Sequence, residues 1–285
     1  MNVAYAEVIG DPIAQSKSPV IHGYWLEKLG LEGRYDRAHV TSEGLADYLA
    51  ARRTDPDWRG CNVTMPHKQA VIPMLDRLDP LAARIGAVNT IVPEGDALVG
   101  YNTDAPGFLE PLREDLARTH YFRMARVLGT GGAARAIIAG LADEHMVLVL
   151  AGRNVDKAWA LLDELDPQGE HHVAPLDHFA DATDFAFDDR EGCFDLVVNA
   201  SSLGMTGQAP LAFDMTHAPP GSVFYDIVTS PLETEFLKAA RAAGFRAIDG
   251  LSMLIGQADQ AFRHFFGANP PRGDADVELR ARLLA

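Results

Sequence analysis

Cysteine is nearly absent: Cys61 and Cys193 are the only two in 285 residues. They stand far apart in apolar, strand-like surroundings, which reads as two buried thiols and argues against a disulfide framework. Basic charge is also scarce, 25 Lys and Arg against 40 Asp and Glu, for a net charge of −15. Nucleic-acid binding relies on neutralising phosphates with Lys and Arg, so that class is set aside. One small anion remains admissible, because a few local cations or backbone N–H groups can hold it. No apolar run is long enough to span a bilayer, and no basic stretch followed by an apolar one opens the chain. A cytoplasmic protein with no membrane partner is expected. Repeats and low-complexity tracts are missing too. What is present is a globular composition, 47% hydrophobic and 23% charged, on a chain long enough for two domains with cores of their own.

Short apolar runs alternate with helical patterns almost throughout, which predicts an α/β protein. Strands are expected at Ala4–Ile9, Arg34–Val40, Gly60–Val63, Ala87–Val92 and Leu98–Tyr101, with helices at Pro19–Leu29, Glu43–Arg53 and Pro66–Leu75. Pro19 and Pro66 suit a first helical turn, where a missing N–H costs little, and Gly30 suits a helix end. A second series gives strands at Ala125–Leu128, Met146–Ala151, Leu196–Ala200, Ser222–Ile227 and Phe245–Ile248. Its helices are Ala133–Ala142, Val155–Leu165, Leu232–Ala243, Leu251–Phe266 and Ala275–Leu284. The segment His171–Gly192 gives no clear pattern. The expected division is a first α/β domain over 1–105, a Rossmann-like nucleotide domain over 106–249, and C-terminal helices over 250–285 that return to the first. The active site is expected in the cleft between the two domains.

The turn Gly129-Thr130-Gly131-Gly132-Ala133 follows a strand and opens a helix. Glycines there permit a tight turn and let backbone N–H groups approach a pyrophosphate, with the helix N-terminus adding partial positive charge. A lone G-x-G is weak, but this one has the strand before it, the helix after it, and a second strand ending at Ala151. An acidic residue at the tip of that second strand would favour NAD. Here the tip reads Gly152-Arg153-Asn154, and an Arg pairs with a 2′-phosphate, so NADP is favoured.

Two polar segments carry the remaining chemistry: Asn62-Val63-Thr64-Met65-Pro66-His67-Lys68 and Asn102-Thr103-Asp104. A lysine at a strand-to-helix turn can exchange a proton with a hydroxyl or carbonyl, and a nearby aspartate can orient both. Taken singly, each is an ordinary surface charge. His171, His172 and His178 lack partners at metal-ligand spacing and read as a solvated patch, so no metal is expected. Ser201-Ser202 lacks a nucleophile-elbow pattern. Phe262, Phe265 and Phe266 at helical spacing read as core.

Taken together, the motifs are more specific. Gly10-Asp11-Pro12-Ile13 with Ser16-Lys17-Ser18-Pro19 and His22 resembles the opening of the shikimate dehydrogenase family. Asn62-Val63-Thr64 with Pro66 and Lys68, Gly86-Ala87-Val88-Asn89-Thr90, and Asn102-Thr103-Asp104 continue the resemblance. So do Asn199-Ala200-Ser201 with Gly204-Met205, and Gly250-Leu251 with Met253-Leu254 and Gln257-Ala258. The motifs run in the family's order over nearly the whole chain. The resemblance implies that Ser16 and Ser18 hold a substrate carboxylate and that Thr64, Asn89 and Gln257 read ring hydroxyls. It makes Lys68 the acid/base group and Asp104 its partner. Gly129 to Ala133 would hold the pyrophosphate, Arg153 and Asn154 the 2′-phosphate, and Ile227 and Gly250 would lie near the nicotinamide. The implied reaction is reversible reduction of 3-dehydroshikimate to shikimate with NADPH, in chorismate and aromatic amino acid biosynthesis, by a monomer or homodimer.

Three positions depart from the family's pattern. Thr229 stands where a substrate-contacting Tyr is usual, Gly152-Arg153-Asn154 where Asn-Arg-Thr is usual, and Gln15 and Gly23 where His and Asn are common. A pocket enlarged at Thr229 would admit quinate, so a quinate/shikimate dehydrogenase with relaxed substrate or NAD use is the alternative enzyme. A catalytically silent ligand sensor is the alternative of another class. Such a sensor is expected to lose Lys68 or Asp104 or to add a DNA-binding segment; this chain keeps both residues and shows no basic arm.

Overall fold

The computed structural model describes residues 3–188 and 190–284. The chain divides into two compact units, residues 1–107 with 255–285, and residues 108–254. In chain order the first stretch gives β1 (Tyr5–Gly10), α1 (Ser18–Leu29), β2 (Arg34–His39), α2 (Leu45–Arg53), β3 (Trp58–Val63) and α3 (His67–Ala70). It continues with β4 (Arg77–Leu78), α4 (Pro80–Ile85), β5 (Thr90–Glu94), β6 (Ala97–Tyr101) and α5 (Asp104–Leu109). Then come α6 (Arg113–Leu116), β7 (Phe122–Leu128), α7 (Gly132–Asp143), β8 (Val147–Gly152), α8 (Val155–Leu165), β9 (His171–Pro175) and β10 (Cys193–Asn199). The last elements are β11 (Val223–Asp226), α9 (Glu235–Ala242), β12 (Arg246–Ile248), α10 (Gly250–Phe266) and α11 (Asp274–Leu284).

The first unit holds a mixed six-stranded sheet in the order β2-β1-β3-β5-β6-β4. Strand β1 is buried along its whole length between parallel neighbours, as expected for a strand covered on both faces. Its one charged residue, Glu7, is matched inside the fold: Arg52 Nε donates to it at 2.7 Å and the Tyr48 hydroxyl at 2.8 Å. Such pairing is what makes a buried carboxylate tolerable. Apolar clusters flank the sheet, one around Ile9, Trp58, Val63 and Ile91, the other around Ala6, Tyr35, Ala261 and Phe265. Phe262 and Phe265 are core, as their spacing predicts.

The second unit is an all-parallel sheet in the order β12-β11-β10-β7-β8-β9. Counted from β7, this is the 3-2-1-4-5-6 order of dinucleotide-binding sheets, in which ligands bind where the winding reverses, here beyond the carboxyl ends of β7 and β10.

Two expected elements differ. The helix expected over Pro66–Leu75 stops at Ala70 and gives way to a 3-10 turn over Ile72–Met74. Pro73 explains the break, because it supplies no N–H and its ring clashes with the carbonyl four residues back. The strand expected from Ala87 begins at Thr90, because the Val88 N–H turns aside to the Lys68 carbonyl at 2.7 Å. Five elements, β4, α4, α5, α6 and β9, lie outside the expected set, and α4 and β9 show why. Asp79 caps α4 by accepting from Leu81 N at 3.0 Å, a Pro-led cap the hydrophobic pattern hides. The unreadable segment starts with edge strand β9, whose register is supplied by β8 and not by its own His-rich sequence. Both cysteines are free thiols, Cys61 buried as expected and Cys193, at the first position of β10, only half-buried.

His22 is fully buried on α1, stacked on Tyr35 with ring centroids 3.9 Å apart and with Trp25, Phe262 and Phe265 around it. Neither ring nitrogen has a hydrogen-bond partner. Burial pushes its pKa from 6.5 down to about 3. The unfolded chain therefore binds a proton that the folded chain refuses. His22 leaves stability whole above about pH 6.5 and costs up to about 1.4 kcal/mol per pH unit as pH falls toward 3. In urea unfolding, His22→Phe should lose less stability than the parent between about pH 7 and pH 5. An equal loss in both proteins would mean that another group titrates.

Candidate active site

The Lys68 ammonium donates to Asp104 Oδ2 at 2.5 Å, and both side chains are largely buried. Neither residue is placed by a long element. Lys68 sits on the single turn α3, which is pinned on both sides. The buried His67 Nε2–H donates to the Val40 carbonyl at 2.6 Å, and the Lys68 carbonyl takes the Val88 N–H. Asp104 opens α5, its N–H donating to Asn102 Oδ1 at 3.0 Å, while Asn102 Nδ2 donates to the Ala87 carbonyl at 2.9 Å. That asparagine ties the start of α5 to the chain that follows α4.

Behind Asp104 runs a buried polar chain. Asn89 Nδ2 donates to Asp104 Oδ1 and to Thr103 Oγ1, each at 2.9 Å. Asn89 Oδ1 accepts from Thr103 N at 2.8 Å and from Thr90 Oγ1 at 3.0 Å. Asn62 Nδ2 donates to Thr90 Oγ1 at 3.0 Å, and Asn62 Oδ1 accepts from the Tyr35 hydroxyl at 2.6 Å. Both hydrogens of the Asn89 amide are spent here. Asn89, expected to read a substrate hydroxyl, is placed beside Asp104 and orients it. Tyr35, Asn62, Asn102 and Thr103 were given no role from the sequence. The available signal was a run of amides and hydroxyls at strand ends, where apolar residues are the norm.

The other expected substrate residues of this unit lie around the ends of β1 and β3. Ser16 Oγ donates to Ser18 Oγ at 3.3 Å at the start of α1. Arg37 steadies that loop by donating to the Ser16 carbonyl through Nε at 2.9 Å and through Nη2. Thr64 follows β3, its N–H on the Ile9 carbonyl, and its methyl lies where a side chain on Gly10 would clash. Gln257 is buried on α10, and its backbone packs so closely on Gly107 that a Cβ there would stand 2.4 Å from its nitrogen. Gln15 bonds within its own loop, to the Pro12 carbonyl, and Gly23 faces open space.

In the second unit, Gly129 has a φ of +125°, and a Cβ there would meet Ala200 and Ser201 at 2.9 Å. This glycine serves the fold by letting the ends of β7 and β10 touch. Gly131 and Gly132 are different: a Cβ at either meets nothing within 4 Å. Packing within the chain does not require them, and the space they leave lies at the N-terminus of the twelve-residue α7, where no side chain caps the helix. Free N–H groups beside empty space suit a phosphate. Gly152 has a packing cause, since a Cβ there would meet the Thr130 methyl at 2.8 Å. Asn154 Oδ1 caps α8 by accepting from Lys157 N at 2.9 Å. Its expected phosphate contact is thereby limited to Nδ2. A pocket of about 380 Å³ opens here, lined by Gly152, Arg153, Leu176, Asp177 and Leu211 among others.

Ile227 and Thr229 follow β11, both half-buried. The buried Asp226 holds this turn, accepting from Asn199 Nδ2 at 2.9 Å, Val228 N at 3.0 Å and Thr234 Oγ1 at 2.6 Å. Burial raises its pKa, against the pull of those three donors. A Cβ on Gly250 would meet the Val228 carbonyl oxygen at 2.4 Å, so this glycine is fixed by backbone packing.

Residues 8–91 match the family model of the shikimate dehydrogenase substrate binding domain. A shikimate dehydrogenase (NADP(+)) of Sphingopyxis alaskensis is 51% identical over 284 residues, which is 99% of this chain and 97% of that one. The chain belongs to the shikimate dehydrogenase family. The shikimate 5-dehydrogenase of Thermus thermophilus, solved with NADP(H) and shikimate, is 34% identical, with a TM-score of 0.81 over 98% of this chain and 99% of that one. A quinate dehydrogenase of Corynebacterium glutamicum, solved with NAD, is 30% identical, with a TM-score of 0.80 over 99% of both chains. Shikimate dehydrogenases are oxidoreductases acting on a CH–OH group, and the two-sheet α/β architecture of this chain is theirs. Among the described residues no helix is long and apolar enough to cross a membrane.

Proposed function

We propose that this protein is an NADP-dependent shikimate dehydrogenase, reducing 3-dehydroshikimate to shikimate and running the reverse reaction when product accumulates. The observation that carries the reading is the Lys68–Asp104 pair, held at 2.5 Å by a buried network in a chain 51% identical to a named shikimate dehydrogenase. In reduction the Lys68 ammonium donates a proton to the ketone oxygen as that oxygen becomes a hydroxyl; in oxidation the neutral amine takes it back. Asp104 keeps the ammonium aimed and accepts a hydrogen bond from a hydroxyl beside the reacting carbon. Ser16 and Ser18 bind the ring carboxylate, and Thr64, Thr229 and Gln257 contact the ring and its hydroxyls. The space at Gly131 and Gly132, the uncapped α7 and the pocket at Arg153 fit a phosphorylated dinucleotide, with Gly129 to Ala133 at the pyrophosphate. Arg153 and the Asn154 amide nitrogen take the 2′-phosphate, and Ile227 and Gly250 lie at the nicotinamide. Bound there, NADP(H) supplies or accepts the hydride. The chain's part is placement and proton transfer.

A second reading, dehydrogenation of quinate, draws support from the likeness to the quinate dehydrogenase and from Thr229 in place of a bulkier Tyr. One assay separates the two: purified protein with shikimate or quinate, each with NADP+ or NAD+, followed by absorbance of the reduced nicotinamide. Turnover concentrated on shikimate with NADP+ is expected. Equal or faster turnover of quinate overturns the choice of substrate, and no turnover in any of the four mixtures overturns the enzyme.

A further inference from the structure

The loop that bears Ser16 and Ser18 meets two cations, and they are used differently. Lys17 stands between the serines, yet its Nζ donates to the Leu283 carbonyl at 2.9 Å, in the last turn of α11. That lysine serves a helix end, where free carbonyls favour a cation. Arg37 reaches the loop from the edge strand β2, and its Nε and Nη2 both donate to the Ser16 carbonyl, the former at 2.9 Å. Strand β2 also carries Arg34 and His39. Arg34 lies 2.9 Å from Asp36 Oδ2, and His39 Nε2 lies 2.7 Å from Asp11 Oδ1. Arg37 alone of the three is in ion-pair contact with no carboxylate among the described residues. The chain has 40 Asp and Glu to 25 Lys and Arg, so partners are plentiful. A guanidinium that meets only a carbonyl keeps a charge that no ion pair cancels.

The hydroxyls beside it lack what an anion requires. Ser16 Oγ donates to Ser18 Oγ at 3.3 Å and accepts from Ser18 N at 3.4 Å, both long contacts that a ligand oxygen can displace at small cost. Serine hydroxyls are neutral, however, and a carboxylate that leaves water needs compensating charge as well as donors. The N-terminus of α1, at Lys17 and Ser18, has no side-chain cap and contributes only a partial positive charge. Arg37 is the remaining source of a full one. Anchored through two of its three nitrogens, it brings that charge already placed and with little rotamer freedom left to lose.

We propose that Arg37 is a specificity-determining residue of this site. Held on the Ser16 carbonyl, it supplies the positive charge against which Ser16 and Ser18 accept an acid and turn away its neutral analogues. This rests on the reading of the two serines as the carboxylate seat of a shikimate dehydrogenase. It adds to that reading a residue whose part is to set the charge of the ligand, not the shape of its ring.

The test compares shikimate with its carboxamide, which has the same ring and hydroxyls but no charge, in the parent, Arg37→Gln and Arg37→Lys. Affinity is read by isothermal titration, and kcat/KM by reduction of NADP+. Arg37→Gln should weaken shikimate by about tenfold in Kd and KM, and the carboxamide by less than about twofold. Arg37→Lys keeps the charge and should recover most of the shikimate affinity. The parent's preference for the acid should shrink as salt is raised, because Arg37 is exposed and its charge is screened. That exposure also means that neither variant opens the core. Equal weakening of acid and carboxamide would reduce Arg37 to a brace for the loop and overturn the proposal. So would an Arg37→Gln protein that binds both ligands as the parent does. A parent that binds shikimate without oxidising it would sink the dehydrogenase, while the titrations would still decide the part of Arg37.

Discussion

Lys68→Ala should lower kcat for shikimate oxidation by about 10³, within the range typical of a lost general acid/base group. The KM for shikimate should change only a few-fold, because Ser16, Ser18 and the ring contacts remain. The split matters more than the size of the loss. A lysine that merely bound substrate would raise KM and leave kcat nearly intact, whereas a proton carrier acts at the transition state and lowers kcat. Lys68→Arg should not restore activity, because a guanidinium keeps its proton throughout and cannot alternate between acid and base. Steady-state kinetics of both variants, with the fold checked by circular dichroism, decide the matter. A Lys68→Ala enzyme with near-normal kcat would remove Lys68 from the mechanism.

Arg153→Ala should raise the KM for NADP+ by about 10- to 100-fold, the worth of charge-assisted hydrogen bonds to a phosphate. The KM for NAD+, which lacks that phosphate, should hardly move. The reason lies in what else lines the pocket. Arg153 and Asp177 are the only charged residues among the lining of the pocket at the tip of β8. Removing Arg153 leaves the Asp177 carboxylate facing the phosphate, so the preference should swing toward NAD+ and not simply vanish. Asp177→Asn added to Arg153→Ala should recover part of the NADP+ affinity. Equal effects of Arg153→Ala on both cofactors would place the side chain away from the 2′-phosphate.

The parts of this molecule that repeat a period could be read from sequence. The strand–turn–helix around Gly129 and the helix over Val155–Leu165 follow from hydrophobic spacing and glycine. The acid/base pair was legible as a pair of residue types in a family's order, but not as a contact across 36 positions of chain, which only the sheet brings together. What escaped were features set by neighbours. Strand β9 takes its register from β8, the helix that carries Lys68 is cut short by Pro73, and the Asn89 amide bonds Asp104. Glycines sorted themselves only in three dimensions. Gly129, Gly152 and Gly250 are demanded by the chain's own packing, while Gly131 and Gly132 are not. In sequence all five look alike.

The amide of Asn89 has no hydrogen left to lend and lies at the end of a relay reaching back to Tyr35. The acid/base pair is therefore a fixed reference point, and selection for a new substrate has little purchase on it. A variant that moved Asp104 to follow a hydroxyl of the opposite configuration would have to rebuild Asn89, Thr90 and Asn62 together, through intermediates carrying unmatched buried amides. Single-step adaptation is left to half-buried side chains outside that network, such as Thr64. Divergence in this lineage should therefore change which ring is accepted far more readily than which face of its carbinol is oxidised.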